Sequence, residues 1–192
     1  MLSVALGPLE WLARWHPWWV LLLTAVVFFV SNRAVRRISD ARLLTSVTPK
    51  GPILKWEMAA TKERMDEILE AWGPVGRQWA GRTLLIDVPF LFAYGAVLSL
   101  ACTMAALYFR GAHAVVGKWV YAVAAWVAVL TAALDLVEDA FLARMLRPFE
   151  GDGLPRTMTA VSKTKWVLGL TLVPFAIVAL VLYLVGCPRG CG

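Results

Sequence analysis

Residues 118–139 read KWVYAVAAWVAVLTAALDLVED, with no charge between Lys118 and Asp135. A helix needs about 17–25 mostly apolar residues to cross the hydrocarbon core of a bilayer, so this stretch predicts a spanning helix that closes on three carboxylates, Asp135, Glu138 and Asp139. An acid facing lipid at the centre of a spanning helix costs about 2.5–3.5 kcal/mol on insertion scales. These acids are therefore expected to face protein or water and to have a task. Outward from this run, 84–108 and 165–185 are apolar over similar lengths, and the first of them opens on Leu84-Leu85-Ile86-Asp87-Val88-Pro89. A shorter run from Pro17 to Val30 reaches spanning length when Trp11 to His16 join it, with Arg14 snorkelling and Trp11, Trp15, Trp18 and Trp19 at the headgroup level. The pattern predicts an all-α polytopic membrane protein. Its 192 residues form one transmembrane domain, a four-helix bundle over 14–32, 84–108, 117–142 and 165–185 with one amphipathic cytoplasmic helix.

The composition agrees, since 60% of the residues are hydrophobic and 17% charged, against about 45–50% and 25% in soluble domains. The net charge of +6 does not mark a nucleic-acid partner, because the basic residues lie between apolar runs and form no basic stripe. Fifteen of the 19 Lys and Arg fall in the loops 33–83 and 143–165, which makes these the cytoplasmic loops. Both termini are then expected on the non-cytoplasmic side, in a bacterial inner membrane. The stretch before Arg14 has no basic residue, and no small-x-small site follows Val30, so no cleavable signal is expected.

Three cysteines are too few for a disulfide framework. Cys102 reads as a packing residue, while Cys187 and Cys191, flanking Pro188-Arg189-Gly190, fit either a disulfide or two free thiols. His16 and His113 are expected near the outer face, and their spacing does not call for haem. No cofactor and no metal is expected: Mg²⁺ or Ca²⁺ takes several oxygen ligands, and the lysines beside the carboxylates argue against it. Phosphate-loop, Ser-His-Asp and metalloprotease motifs are absent from the sequence.

In the long first loop, Met65, Ile68, Leu69 and Trp72 follow i, i+3, i+4, i+7 spacing and Gly73-Pro74 supplies a stop. This predicts an amphipathic helix over 56–72. Its polar face is acidic, with Glu57, Glu63, Asp66, Glu67 and Glu70 against Lys62 and Arg64. That face suits packing on the cytoplasmic ends of the bundle better than a basic lipid anchor.

At 100° per residue, Ala124, Ala128, Thr131, Ala132, Asp135, Glu138 and Asp139 share one face of the third helix, so the acids continue a stripe of small residues. Asp87 and Tyr94 lie two turns apart on the second helix. Lys163 and Lys165 precede the fourth, and Arg82 and Arg144 are near in sequence. Antiparallel packing brings these groups to one level, giving a cytoplasm-side chamber formed by Asp87, Tyr94, Asp135, Glu138, Asp139 and Lys165. The plainer reading is that acid–lysine pairs at helix ends only fix helix register. Pro89 and Pro174 are expected to kink their helices.

The acid-x-Pro-Phe start of helix two, Glu138-Asp139 at the end of helix three, Val173-Pro174-Phe175 in helix four and the long aromatic first loop together resemble the EXPERA group of four-helix membrane proteins. That group includes the sigma-2 receptor and the emopamil-binding sterol isomerase. The resemblance implies an intramembrane acidic cavity for sterol-like or cationic amphiphilic ligands, with Asp87 and Asp135 as the ligand-facing acids. The histidine and glutamate set of the isomerase has no match, so isomerase activity is not implied. Three functions are left open. The leading one is binding of a lipid-like or cationic amphiphilic small molecule, with catalysis undecided. The others are an accessory or assembly subunit of a larger membrane complex, and a proton or cation carrier.

Overall fold

The computed structural model describes residues 6–15, 17–111 and 113–186, and among them helix is the only regular structure. The elements are α1 (Glu10–Trp15), α2 (Pro17–Arg42), α3 (Pro52–Glu57), α4 (Lys62–Gly111), α5 (Val115–Met145) and α6 (Gly153–Gly186). Three of the described helices are long and apolar enough to cross a membrane: Lys62–Arg110, Val115–Met145 and Gly153–Val181. Large apolar side chains stand open along them, Val116 at 77% exposure and Leu85 at 74%. A surface this apolar is costly against water and suits acyl chains, as in an integral membrane protein. The region read as one helix over 14–32 holds two elements, α1 and α2, and α2 runs on to Arg42. His16, Cys187 and Cys191 lie outside the described residues.

The chain forms two compact units. The first gathers Met1–Val26, Phe92–Ala132 and Val167–Gly192. Its core is built from small residues, among them Cys102, Ala105, Ala106, Ala124, Ala125 and Ala128, with Tyr121, Leu172 and Ala179. In lipid, helices gain little from hiding apolar surface and associate by close packing, which small side chains permit. Gly95 shows how tight this is: a Cβ there would stand 2.7 Å from the Cβ of Ala132.

The second unit comprises Val27–Leu91 and Ala133–Trp166, and its core is of ordinary globular kind: Leu43, Trp56, Met65, Ile68, Leu69, Trp72, Leu84, Leu142, Met145 and Met158. The Trp72 indole N–H and the Thr48 hydroxyl both donate to the carbonyl of Leu43, each at 2.9 Å, which ties the segment after α2 to α4. The edge of one ring meets the face of the other where Trp56 and Trp72 pack, centroids 5.3 Å apart.

The stretch expected as one helix over 56–72 is divided. Trp56 belongs to α3, which starts on Pro52 after Gly51 in the left-handed region. Helix α4 starts anew at Lys62, because Thr61 accepts from the Arg64 N–H (3.3 Å) and Asp152 accepts from the Lys62 N–H (2.8 Å), two caps for otherwise unsatisfied donors. Met65, Ile68, Leu69 and Trp72 are buried, while Glu63, Arg64, Glu67 and Glu70 are exposed. At Gly73 the backbone turns to φ 62°, ψ −172°, and the helix resumes on Pro74.

Candidate functional site

The second unit brings one lysine and a set of carboxylates together. Lys165, in the second half of the α6 portion of this unit, places its ammonium in ion pairs with Asp135 and with Glu138, both on α5 and one turn apart. The same ammonium lies 3.9 Å from Oε2 of Glu57, the last residue of α3. None of the four side chains is more than 12% exposed, and Glu138 is fully enclosed. Ser162, one turn before Lys165 on the same face of α6, donates its hydroxyl to Glu138 Oε1. Thr159 donates to the main-chain carbonyl of Glu57 at 3.3 Å and holds the end of α3 against α6. The Lys165 ammonium also approaches the Trp166 ring, 5.9 Å from its centroid.

Two further acids stand in electrostatic reach. Asp87 on α4 interacts with Asp135, Lys165 and Glu138, and Asp139 on α5 interacts with Asp87 as well as with those three. Oδ2 of Asp139 is buried and has no hydrogen-bond partner among the described residues. A single ammonium thus faces five carboxyl groups. Such a set can hold protons, exchange them, or accept a second positive charge, because buried charges of one sign must be compensated.

Glu57 lies outside the long apolar helices, and its carboxyl is pushed up to about 8. Burial is the largest cause, with Glu138 and Asp135 pushing the same way; Lys165 and the Trp166 indole pull it down.

Of the residues singled out in the sequence, Asp87, Asp135, Glu138, Asp139 and Lys165 all lie in this unit, while Tyr94 lies half-buried in the other. The remaining cations named as partners are engaged differently. Arg82 sits over the Trp79 ring (4.8 Å), Arg144 donates to the carbonyl of Pro148 (3.1 Å), and Lys163 is exposed. Glu57 and Ser162 join the site from outside the sequence-predicted set. The Thr61 cap is the signal that separates Glu57 from the acidic face that follows, and the i, i+3 spacing of Ser162 and Lys165 is the signal for the serine. Among the described residues, no three His, Cys, Asp or Glu side chains form a group able to hold a metal ion.

No family model, no curated protein and no solved structure matches the chain.

Proposed function

We propose that this integral membrane protein binds a cationic amphiphile, whose ammonium is received by the carboxylates around Lys165 while its apolar tail remains in the bilayer. The observation that carries this reading is the surplus of acid: Lys165 pairs directly with Asp135 and Glu138, lies near Glu57, and leaves Asp87 and the buried, unpartnered Oδ2 of Asp139 without a cation of their own. A ligand ammonium supplies the missing charge and hydrogen bonds to an anion, which are stronger than neutral ones. In this reading α2 is the fourth spanning helix and both termini lie outside the cytoplasm of a bacterial inner membrane. The loops that hold fifteen of the 19 basic residues lie inside, and the acids lie toward the inner leaflet. The EXPERA resemblance points to the same class of ligand.

The test is the set of molecules that stay with the full chain through purification, identified by mass spectrometry for the wild type and for Asp139→Asn. An amine-bearing amphiphile enriched with the wild type and depleted with the variant is the expected result. Identical profiles containing only bulk lipid overturn the proposal.

A second reading, a proton or cation carrier, is supported by Glu57, whose buried carboxyl beside Lys165 is pushed up to about 8. It predicts proton flux in vesicles holding the wild type that is lost with Glu57→Gln; equal flux in both removes it.

A further inference from the structure

Away from the carboxylates, the first unit has two hollows lined in part by successive residues of α5, Lys118 in one and Trp119 in the other. One is a cleft of about 220 Å³ where α4 ends and α5 begins, lined by Phe109, Arg110, His113, Ala114, Val115 and Lys118. The turn that shapes it closes by two hydrogen bonds, from the Ala114 N–H to the Phe109 carbonyl (2.9 Å) and from the His113 N–H to the Arg110 carbonyl (3.3 Å), with His113 in the left-handed region at φ 57°. That is the double bond pattern of a Schellman cap. The other hollow is a groove of about 530 Å³ between α5 and α6, walled by Trp119, Val123 and Val127 on one side and Leu168, Leu172 and Phe175 on the other.

The two hollows have complementary chemistry. Three basic side chains line the cleft, and Arg110 alone has an acid nearby, Glu10 at 3.6 Å. Lys118 and His113 have no ion-pair partner among the described residues. The groove is apolar throughout. Its one hydroxyl, on Thr171, is spent on the Val167 carbonyl at 2.7 Å. The join between them is Lys118-Trp119, the ammonium lying 4.7 Å from the centroid of its neighbour's ring, and the ring forming the first wall of the groove. Because the cleft sits where two long apolar helices end, it falls at the level of lipid headgroups, where tryptophan and lysine concentrate. From Trp119 to Val127 the groove descends about 12 Å along α5, at about 1.5 Å per residue.

We propose that the first unit holds an anionic phospholipid, its phosphate in the Arg110–His113–Lys118 cleft and one acyl chain in the groove between α5 and α6. A second helix, about 10–12 Å across with its side chains, would cover the groove but leave the basic cleft empty. A ligand with a negative head and a thin apolar tail fills both. The site does not rest on the carboxylate reading and selects the opposite charge.

The experiment uses the full chain in nanodiscs of equal parts phosphatidylglycerol and phosphatidylcholine with the same acyl chains, followed by native mass spectrometry of the lipid retained. The wild type retains phosphatidylglycerol in preference. Lys118→Glu lowers that preference by at least about fivefold, since loss of the basic charge alone removes about 1 kcal/mol at an anionic surface and the new carboxylate adds repulsion. Lys118→Arg keeps the preference. Val123→Trp, at an exposed position in the groove wall, lowers retention of phosphatidylglycerol without reversing the selectivity. If Lys118→Glu aggregates, Lys118→Gln carries the same test. Equal retention of the two lipids, a preference unchanged by the loss of the Lys118 charge, or displacement of phosphatidylglycerol by inorganic phosphate with no effect of Val123→Trp each overturns the proposal.

Discussion

Lys165 is the cation on which the carboxylate cluster depends, and its removal should be felt by every acid that faces it. Lys165→Met leaves Asp135 and the fully enclosed Glu138 without their counter-charge. Stranding one side of a buried pair costs about 3–5 kcal/mol, so the variant is expected to unfold well below the wild type in thermal scans in detergent. Adding Asp135→Asn and Glu138→Gln to it should return most of the loss, since the acids then need no partner. A failure of the triple variant to recover would mean that Lys165 acts by filling space. Glu57 gives a separate sign. Its carboxyl rises from 4.5 to about 8 in the folded chain, so between those values the folded state binds more protons than the unfolded one. Stability contributed by this group is present below pH 4.5 and is lost as pH rises toward 8, the reverse of a salt-bridged carboxylate. Unfolding midpoints measured across that window should fall for the wild type and fall less for Glu57→Gln.

The short helix α3 presents Glu57 to this cluster where the chain breaks at residues 58–61, and a second break follows inside α4 at Gly73. The second break has φ 62°, ψ −172°, a region open to glycine and strained for other residues by about 1–3 kcal/mol. Gly73→Ala is expected to destabilise by that amount although nothing stands within 4 Å of an added Cβ, which separates backbone strain from crowding. Asp152→Ala removes the carboxylate that caps Lys62 across 90 residues of sequence and should cost about 0.5–2 kcal/mol in chemical unfolding. The same elements separate what the sequence encodes locally from what only the tertiary fold supplies. The apolar runs of α4, α5 and α6 are legible because spanning length is a local property, and Asp135, Glu138 and Asp139 because helical periodicity puts them together with no knowledge of the fold. Glu57 is not legible as a member of the cluster. Its position depends on Thr159 holding its carbonyl from a hundred residues away, and on a helix start partly set by Asp152, and neither contact leaves a periodic trace. Read as one amphipathic helix, the segment places Glu57 on a solvated face; divided, it carries Glu57 to Lys165.

Taken together, the chain is an integral membrane protein with three described helices able to span, a small-residue core in one unit and a globular core in the other. The distribution of its basic residues makes a topology prediction: a reporter fused after Gly192 should be active on the non-cytoplasmic side, and activity confined to the cytoplasm would reverse the orientation. The proposed function requires the acid surplus beside Lys165 to receive a second positive charge. The most direct test is an equilibrium titration of the full chain in nanodiscs with a long-chain primary amine and with the alcohol of the same length, for the wild type and for the Asp87→Asn, Asp139→Asn double variant. Saturable binding of the amine over the alcohol is expected, weakening about tenfold or more in the double variant, as loss of about 1.5–3 kcal/mol of charged hydrogen bonding requires. Equal affinities for amine and alcohol, or amine binding untouched by the two substitutions, would contradict it.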